Sequence, residues 1–333
     1  GQRRDRSLVF GRDLKADGPM SLLLRQALYP NLVQTVEGAP AFVHAGPFAN
    51  IAHGCSSVIA TRTAMAHSDI VVTEAGFGFD LGAEKFINIK CRSAGVYPDA
   101  MVLVTTTKAM KFHGGVSKDE VTEPNAAALE AGLANLERHI ETTRALGIPC
   151  IVSINRFGTD IDSELDIIRQ HCNALGAKCA VSDIYGEGGE GGAELADHVL
   201  HTLECEASPA PKFIYELSDS PEEKMRKIVQ QVYGGDDIVI ENKAKSQLKT
   251  MVKNGYGNLP ICMAKTQYSL SDDAKLIGRP TGFKVSVREV RLSAGAGFIV
   301  AVTGNIMTMP GLPRKPAAEA MGVGPNGEAQ GVF

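Results

Sequence analysis

Residues 125–182 read NAAALEAGLANLERHIETTRALGIPCIVSINRFGTDIDSELDIIRQHCNALGAKCAVS, and their rhythm decides the fold. Asn125 is a good helix cap. Leu129, Leu133, Leu136 and Ile140 follow at spacings of four, three and four, the mark of an amphipathic helix. Cys150 to Ile154 is a continuous apolar run, as strands buried on both faces are. A second helix from Asp160 sets Leu165, Ile168, Cys172 and Leu175 on one face, and Cys179 to Ser182 reads as the next strand. Helices alternating with buried strands predict right-handed crossovers and a parallel sheet.

Outward from this stretch the pattern continues. Met101 to Thr106, Ile70 to Thr73 and Phe42 to His44 are expected as earlier strands, and Leu195, Val199 and Leu203 mark a further helix. Cys205 to Lys212 (CEASPAPK) has no periodicity and reads as a boundary. Beyond it Ser220 caps a helix, Pro221 takes its first position, Glu223 completes a capping box, and Gly234 and Gly235 stop it. Its apolar face is Met225, Ile228, Val229 and Val232. Past Asn254, Phe283, Val285 and Val287 alternate with Lys284, Ser286 and Arg288, a strand with one solvated face. The expected class is α/β: a parallel sheet with helices on both faces, then a smaller α+β domain. Units are expected at 1–145, 146–212 and 213–333.

Composition narrows the function. The 333 residues are 44% hydrophobic and 22% charged, with net charge −4, which excludes a broadly basic nucleic-acid surface. No run approaches a membrane span and no signal-peptide core follows Gln2 to Arg6, so a cytoplasmic location is expected. The seven cysteines include no CxxC and read as reduced core thiols; the eight histidines form no zinc motif, so no metal site is expected.

In parallel sheets ligands sit beyond the carboxyl ends of the strands. Those positions hold His44 and His53; Glu74, Gly76, Phe77, Gly78, Asp80 and Gly82; Lys108, Lys111 and His113; Phe157; and Tyr185 with the run Gly186 to Gly192. The Gly76–Gly82 loop allows close approach to a phosphate, though its spacing departs from a dinucleotide fingerprint. Taken singly, Lys108 and Lys111 read as a solvated helix face, and the glycine run as a mobile loop. Glu74 and Asp80 each need a cation, a metal or water if buried.

Read together, GPFANIAHG (Gly46 to Gly54), VTEAGFGFDLGAEKF (Val72 to Phe86), VTTTKAMKFHGG (Val104 to Gly115), NLPICMAKTQYSLSDD (Asn258 to Asp273), REVRLSAGAGF (Arg288 to Phe298) and MTMPGLP (Met307 to Pro313) resemble formate–tetrahydrofolate ligase. The resemblance implies synthesis of 10-formyltetrahydrofolate from formate, tetrahydrofolate and ATP, through formyl phosphate. It also implies a P-loop-NTPase-like remnant, a second Rossmann-like βαβ unit, a homotetramer, and use of Mg²⁺ with ATP and of a monovalent cation such as K⁺. Carried over residue by residue, it assigns Gly76, Phe77 and Gly78 to formyl phosphate, and Phe77, Phe157 and Tyr185 to folate. Thr266, Gln267 and Ser269 are assigned to the nucleotide. His44, His53, Glu74, Lys111 and His113 become candidates for phosphate contact or charge balance.

Three departures qualify this. Tyr185 stands where the family carries tryptophan, a smaller face for a pterin. Lys108 replaces an arginine and loses its bidentate fork. No GxxxxGK[ST] occurs, Gly114 to Lys118 (GGVSK) coming nearest, and the chain begins at Gly1, so it reads as the carboxyl-terminal part of the ligase. The alternatives are a non-catalytic folate- or nucleotide-binding module, and a dinucleotide-dependent oxidoreductase built on the Gly76 loop.

Overall fold

A computed structural model describes residues 1, 3–5, 7–306 and 315–331. The MTMPGLP motif lies outside the described residues. In chain order the elements are α1 (Asp17–Leu24), β1 (Asn31–Gln34), β2 (Pro40–Val43), α2 (Val58–Met65), α3 (Arg92–Ala94), β3 (Met101–Thr105), α4 (Thr107–His113), α5 (Ala126–Ala145), β4 (Cys150–Asn155), α6 (Asp162–Ala174), β5 (Lys178–Ser182), α7 (Ile184–Glu187) and α8 (Ala193–Cys205). Then come α9 (Pro221–Ile228), β6 (Asp237–Ile240), α10 (Asn242–Lys253), β7 (Ile261–Ala264), β8 (Lys284–Ser293), β9 (Phe298–Thr303), β10 (Gly322–Val323) and β11 (Ala329–Gln330).

Strands β3, β4 and β5 form a parallel sheet in that order, as the alternation predicts. Leu103, Val152, Ile154 and Cys179 face one way and join Leu129, Leu133, Leu136 and Ile140 of α5 with Leu165, Ile168 and Cys172 of α6 in one core. The intervening residues face the other way. There Lys178 Nζ donates to Thr202 Oγ1 of α8 at 2.7 Å, so helices cover both faces. The cover stops short of β3, the edge strand, whose Val102 and Val104 are 39% and 64% exposed.

Two expected strands are absent from this sheet. Phe42 and Val43 belong to a hairpin with β1, paired antiparallel, and His44 lies beyond it. Ile70 to Thr73 forms no strand. Both runs are short, and Val43, Ile70 and Val72 are exposed, so apolar character was a misleading signal where nothing covers it. The Gly186–Gly192 run, expected as a loose loop, is wound into helical turns: Asp183 caps α7, and its N–H donates to the Gly191 carbonyl at 2.9 Å.

The second core gathers α9, α10 and a mixed sheet ordered β6-β8-β9-β7, in which β8 runs antiparallel to β9 and the outer pairs are parallel. Ser220 caps α9 by accepting from the Glu223 N–H at 3.1 Å, as expected, but the Glu223 carboxylate pairs with Arg226 instead of closing a capping box. The helix continues in wide turns through Val229–Tyr233 and stops at Gly234, which is left-handed. Val285 and Val287 point inward on β8, as their alternation predicts.

Leu129 of α5 is fully buried between the two covering helices and β4. Leu129→Ala is expected to cost about 2–5 kcal/mol. Urea titration followed by circular dichroism checks this; a midpoint unmoved from the native chain would mean that α5 is not the core's anchor.

Candidate active site

The carboxyl ends of β3, β4 and β5 form one rim. Asn155 pairs with Ser182 in register, and the Arg156 N–H donates to the Ser182 carbonyl at 2.9 Å, so the segments carrying Phe157 and Tyr185 leave adjacent strands. Asp160 shapes the β4 loop, accepting from the Phe157 N–H at 2.8 Å and from Thr107 Oγ1 at 2.5 Å. Lys108, on the first turn of α4, places Nζ 4.0 Å from the centre of the Phe157 ring. Phe157 remains 39% exposed and Tyr185 99% exposed. Two aromatic surfaces and a cation therefore stand open at one edge.

A second centre lies around the Gly76–Gly82 loop. Phe77 is left-handed at φ 61° and exposed, and Gly78 opens a run of wide helical turns, Phe79–Ala83 and Phe86–Cys91. A Cβ at Gly78 would lie 2.7 Å from Asp80 Oδ1 and 3.5 Å from His139 Nε2. Asp80, which the sequence marks as needing a cation, has one: its Oδ2 is 2.6 Å from Lys265 Nζ. Burial works against the Asp80 charge, yet Lys265 and His139 outweigh it and hold the carboxyl below its usual range. Burial lowers His139, and the Asp80 charge works against that shift.

The remaining candidates fall as follows. His44 Nε2 lies 2.7 Å from the Ala27 carbonyl, which can only accept, so Nδ1 is left to take the Ser57 hydroxyl proton at 2.7 Å. His53 is half-buried, stacks edge-on to Phe298 at 6.0 Å, and accepts from the Cys55 N–H. Glu74 is exposed. Lys111, expected on a solvated helix face, is buried instead: Nζ meets Glu164 Oε2 at 2.9 Å and the Glu123 carbonyl at 3.0 Å. His113 Nδ1 accepts from the Gly278 N–H at 3.1 Å, and burial pushes the ring down to about 4. Thr266 and Ser269 are buried, and their carbonyls accept from Lys265. Gln267 is half-buried.

Phe157 and Tyr185 thus follow adjacent strands of one sheet, while Phe77 directly precedes Gly78 on the Asp80 turn; no ring contact among the described residues joins any two of the three. Lys265, His139 and Asn135, which donates to the Gly278 carbonyl at 2.8 Å, were missed. Lys265 had a signal, since it ends the buried run Ile261–Ala264. His139 and Asn135 had none beyond lying off the leucine face of their helix. For the Mg²⁺ and K⁺ that the resemblance implies, no group of three or more His, Cys, Asp or Glu is placed to hold a metal among the described residues.

Fold and site together define an α/β protein with exposed aromatic residues at the strand ends of its parallel sheet and, elsewhere, a glycine-bearing turn braced by a buried ion pair. The family model described as formate–tetrahydrofolate ligase matches residues 1–333. A formate–tetrahydrofolate ligase of Myxococcus xanthus (strain DK1622) is 52% identical over 335 residues, covering 100% of this chain and 61% of the relative. The chain belongs to the formate–tetrahydrofolate ligase family. It spans 61% of the length of that curated relative.

The turns after Gly78 also bury Glu84 completely. Its Oε1 accepts from Asn88 at 2.9 Å, while Oε2 has no protein partner. Burial raises the carboxyl to about 7, despite nearby Lys85. A carboxyl raised above its unfolded value of 4.5 leaves stability intact below pH 4.5 and erodes it as pH climbs to 7. Glu84→Gln, which cannot ionise, is expected to gain up to about 3 kcal/mol over the native chain at pH 8 and little at pH 4.5. Denaturation midpoints at the two pH values read this; an equal difference at both would show that Glu84 does not titrate in that range.

Proposed function

We propose that this chain carries the folate-facing and acyl-phosphate-facing parts of an ATP-dependent ligase that joins formate to tetrahydrofolate. The γ-phosphoryl group passes from ATP to a formate oxygen: a new P–O bond forms, the bond to the β-phosphate oxygen breaks, and ADP leaves. The bridging amine of the folate then attacks the formyl carbon. Collapse of the tetrahedral intermediate expels phosphate, and the amine proton goes to solvent or a base.

The observation that carries this reading is the rim formed by Phe157, Tyr185 and Lys108. A flat pterin can lie on the open face of Phe157 while Lys108 holds the other, and Tyr185 is free to close from the neighbouring strand. Phe77 and Gly78 then meet the acyl phosphate. Thr266, Gln267 and Ser269 hold the nucleotide end. Of the charge-balance candidates, His113 suits a neutral hydrogen-bonding role, since its ring stays unprotonated near pH 7. Lys111 is committed to Glu164 and acts by holding α4 against α6.

No GxxxxGK[ST] occurs within the 333 residues, so ATP-phosphate binding is assigned to another part of the complete ligase. The bare edge of β3, with Val102 and Val104 outward, supports the same view, because a parallel strand there is ordinarily covered. A homotetramer and a cytoplasmic location are part of this proposal. Among the described residues no helix is long and apolar enough to cross a membrane. A non-catalytic folate module would share the aromatic rim and lack turnover.

In the complete ligase, Tyr185→Ala is expected to raise the tetrahydrofolate KM about three- to ten-fold, the scale of one aromatic stack, leaving the formate and ATP values unchanged. Steady-state kinetics with each substrate varied checks this; an unchanged folate KM removes Tyr185 from the site. Calorimetry on the 333-residue chain is expected to show tetrahydrofolate binding and feeble ATP binding. Folate binding by a complete protein that forms no 10-formyltetrahydrofolate would favour the module.

A further inference from the structure

Lys265 is fully buried, and its ammonium spends all three protons. One goes to Asp80 Oδ2 at 2.6 Å, one to the Thr266 carbonyl at 2.9 Å, and one to the Ser269 carbonyl. These partners belong to two loops from different parts of the fold. Asp80 follows Phe77 and Gly78; Thr266 and Ser269 follow β7 of the mixed sheet. Each loop is fixed further by its own bonds. Ser269 Oγ meets Ser271 Oγ at 2.9 Å and donates to the Leu276 carbonyl at 2.5 Å. Asp80 Oδ1 lies against Gly78, where a Cβ would come within 2.7 Å.

Stability is a poor reason for such a pair. Taking two charges out of water costs several kcal/mol each, and replacing a buried pair with uncharged groups of similar size is often neutral or stabilising. What an ion pair does supply is geometry: a charged carboxylate and an ammonium with three committed protons tolerate little displacement. Phe77 needs that constraint, because a left-handed backbone at φ 61° is unfavourable for a bulky residue and persists only where its surroundings fix it.

We propose that Lys265, through Asp80, is a positioning residue that sets the Phe77–Gly78 loop and the Thr266–Ser269 loop at one fixed separation, so that the acyl phosphate and the nucleotide are held in register. This rests on the ligase reading above and assigns that site a brace within it. Lys265 has no proton to spare and no exposed surface, so it touches no substrate. The folate rim at Phe157 and Tyr185 stands on the other sheet and is independent of the brace.

The test uses the complete ligase and the double variant Asp80→Asn/Lys265→Met, which removes both charges at nearly constant volume. The fold is expected to survive with a lowered thermal midpoint, because the variant leaves the Thr266 and Ser269 carbonyls without their donor. kcat/KM for ATP and for formate should each fall about 100-fold, the loss that a shift on the order of 1 Å in a reacting group brings, while the tetrahydrofolate KM stays within two-fold. A purely structural pair would lower the thermal midpoint in the same way but leave the kinetic constants for all three substrates alone, which overturns the proposal. Should the double variant not fold, Gly78→Ala decides: it presses a methyl group on Asp80 with both charges in place, and the same split between ATP and folate is expected. Unchanged constants in folded Gly78→Ala protein overturn the proposal. A native complete protein that makes no 10-formyltetrahydrofolate overturns the ligase reading and this brace together, whereas an active native enzyme with an unaffected variant overturns the brace alone.

Discussion

Helix α5 has to satisfy two neighbours at once, and the rest of the structure is arranged around that requirement. Its leucine face, with Ile140, belongs to the core of the parallel sheet. The flank between holds the other unit by polar contacts: Asn135 donates to the Gly278 carbonyl, Arg138 to the carbonyls of Gln231 and Val232, and Glu141 takes both terminal nitrogens of Arg279. His139 faces Gly78 and Asp80. A turn of 100° per residue means that rotating α5 to improve one set would dismantle the other. The two cores are therefore held in orientation by α5, together with the contacts of α4 to Gly278 and Tyr268, and the loops they carry inherit that lock.

The buried charges follow one pattern. Lys85 is enclosed with its ammonium on the carbonyls of Ala49 and Ala52; Lys224 binds those of Gly257 and Leu259; Lys265 binds those of Thr266 and Ser269. Each lysine fastens a loop that lacks regular backbone pairing. Main-chain carbonyls in such loops would otherwise lie buried without donors, so the desolvation cost of the ammonium is offset by the cost it removes. Lys265 and Lys111 each also meet a carboxylate, Asp80 and Glu164, and Glu164 in addition accepts from the Asn125 N–H at the start of α5. The cap of α5 and the placement of α4 against α6 are thus one interaction.

Much of this was legible in the sequence, unevenly so. The leucine spacing, the Asn125 and Ser220 caps and the glycine stop at Gly234 found α5 and α9 because those signals are local. The short runs Phe42 to His44 and Ile70 to Thr73 misled because burial decides whether such a run is a strand, and burial depends on partners far away in the chain. Asp80 could be marked as needing a cation, but Lys265 could not be named as that cation, since charge pairing across loops leaves no periodic trace. Lys111 misled in the opposite sense: its spacing from Lys108 matches a wet helix face, and only the fold brings Glu164 over it. The motif resemblance assigned Phe77 and Phe157 to one folate site; the sequence holds nothing that tells how the fold spaces the two rings.

How those centres communicate is set by α4. The helix begins beside Lys108 on the aromatic rim and ends at His113, which takes the Gly278 N–H from a loop of the mixed sheet, while Phe112 meets Tyr268 edge-on with ring centres 6.3 Å apart. Seven residues of helix span about 10 Å. Under the proposed function that length separates a pterin on Phe157 from groups held near Tyr268, so substrates bound at the two ends must reach toward each other along one rigid rod. Thr106, accepting from the Ala109 N–H, fixes where the rod starts, and the His113 contact fixes where it ends. Because Lys111 pins the middle of α4 to Glu164, neither end can drift without breaking a buried ion pair. The separation is therefore a property of the fold rather than of the ligands.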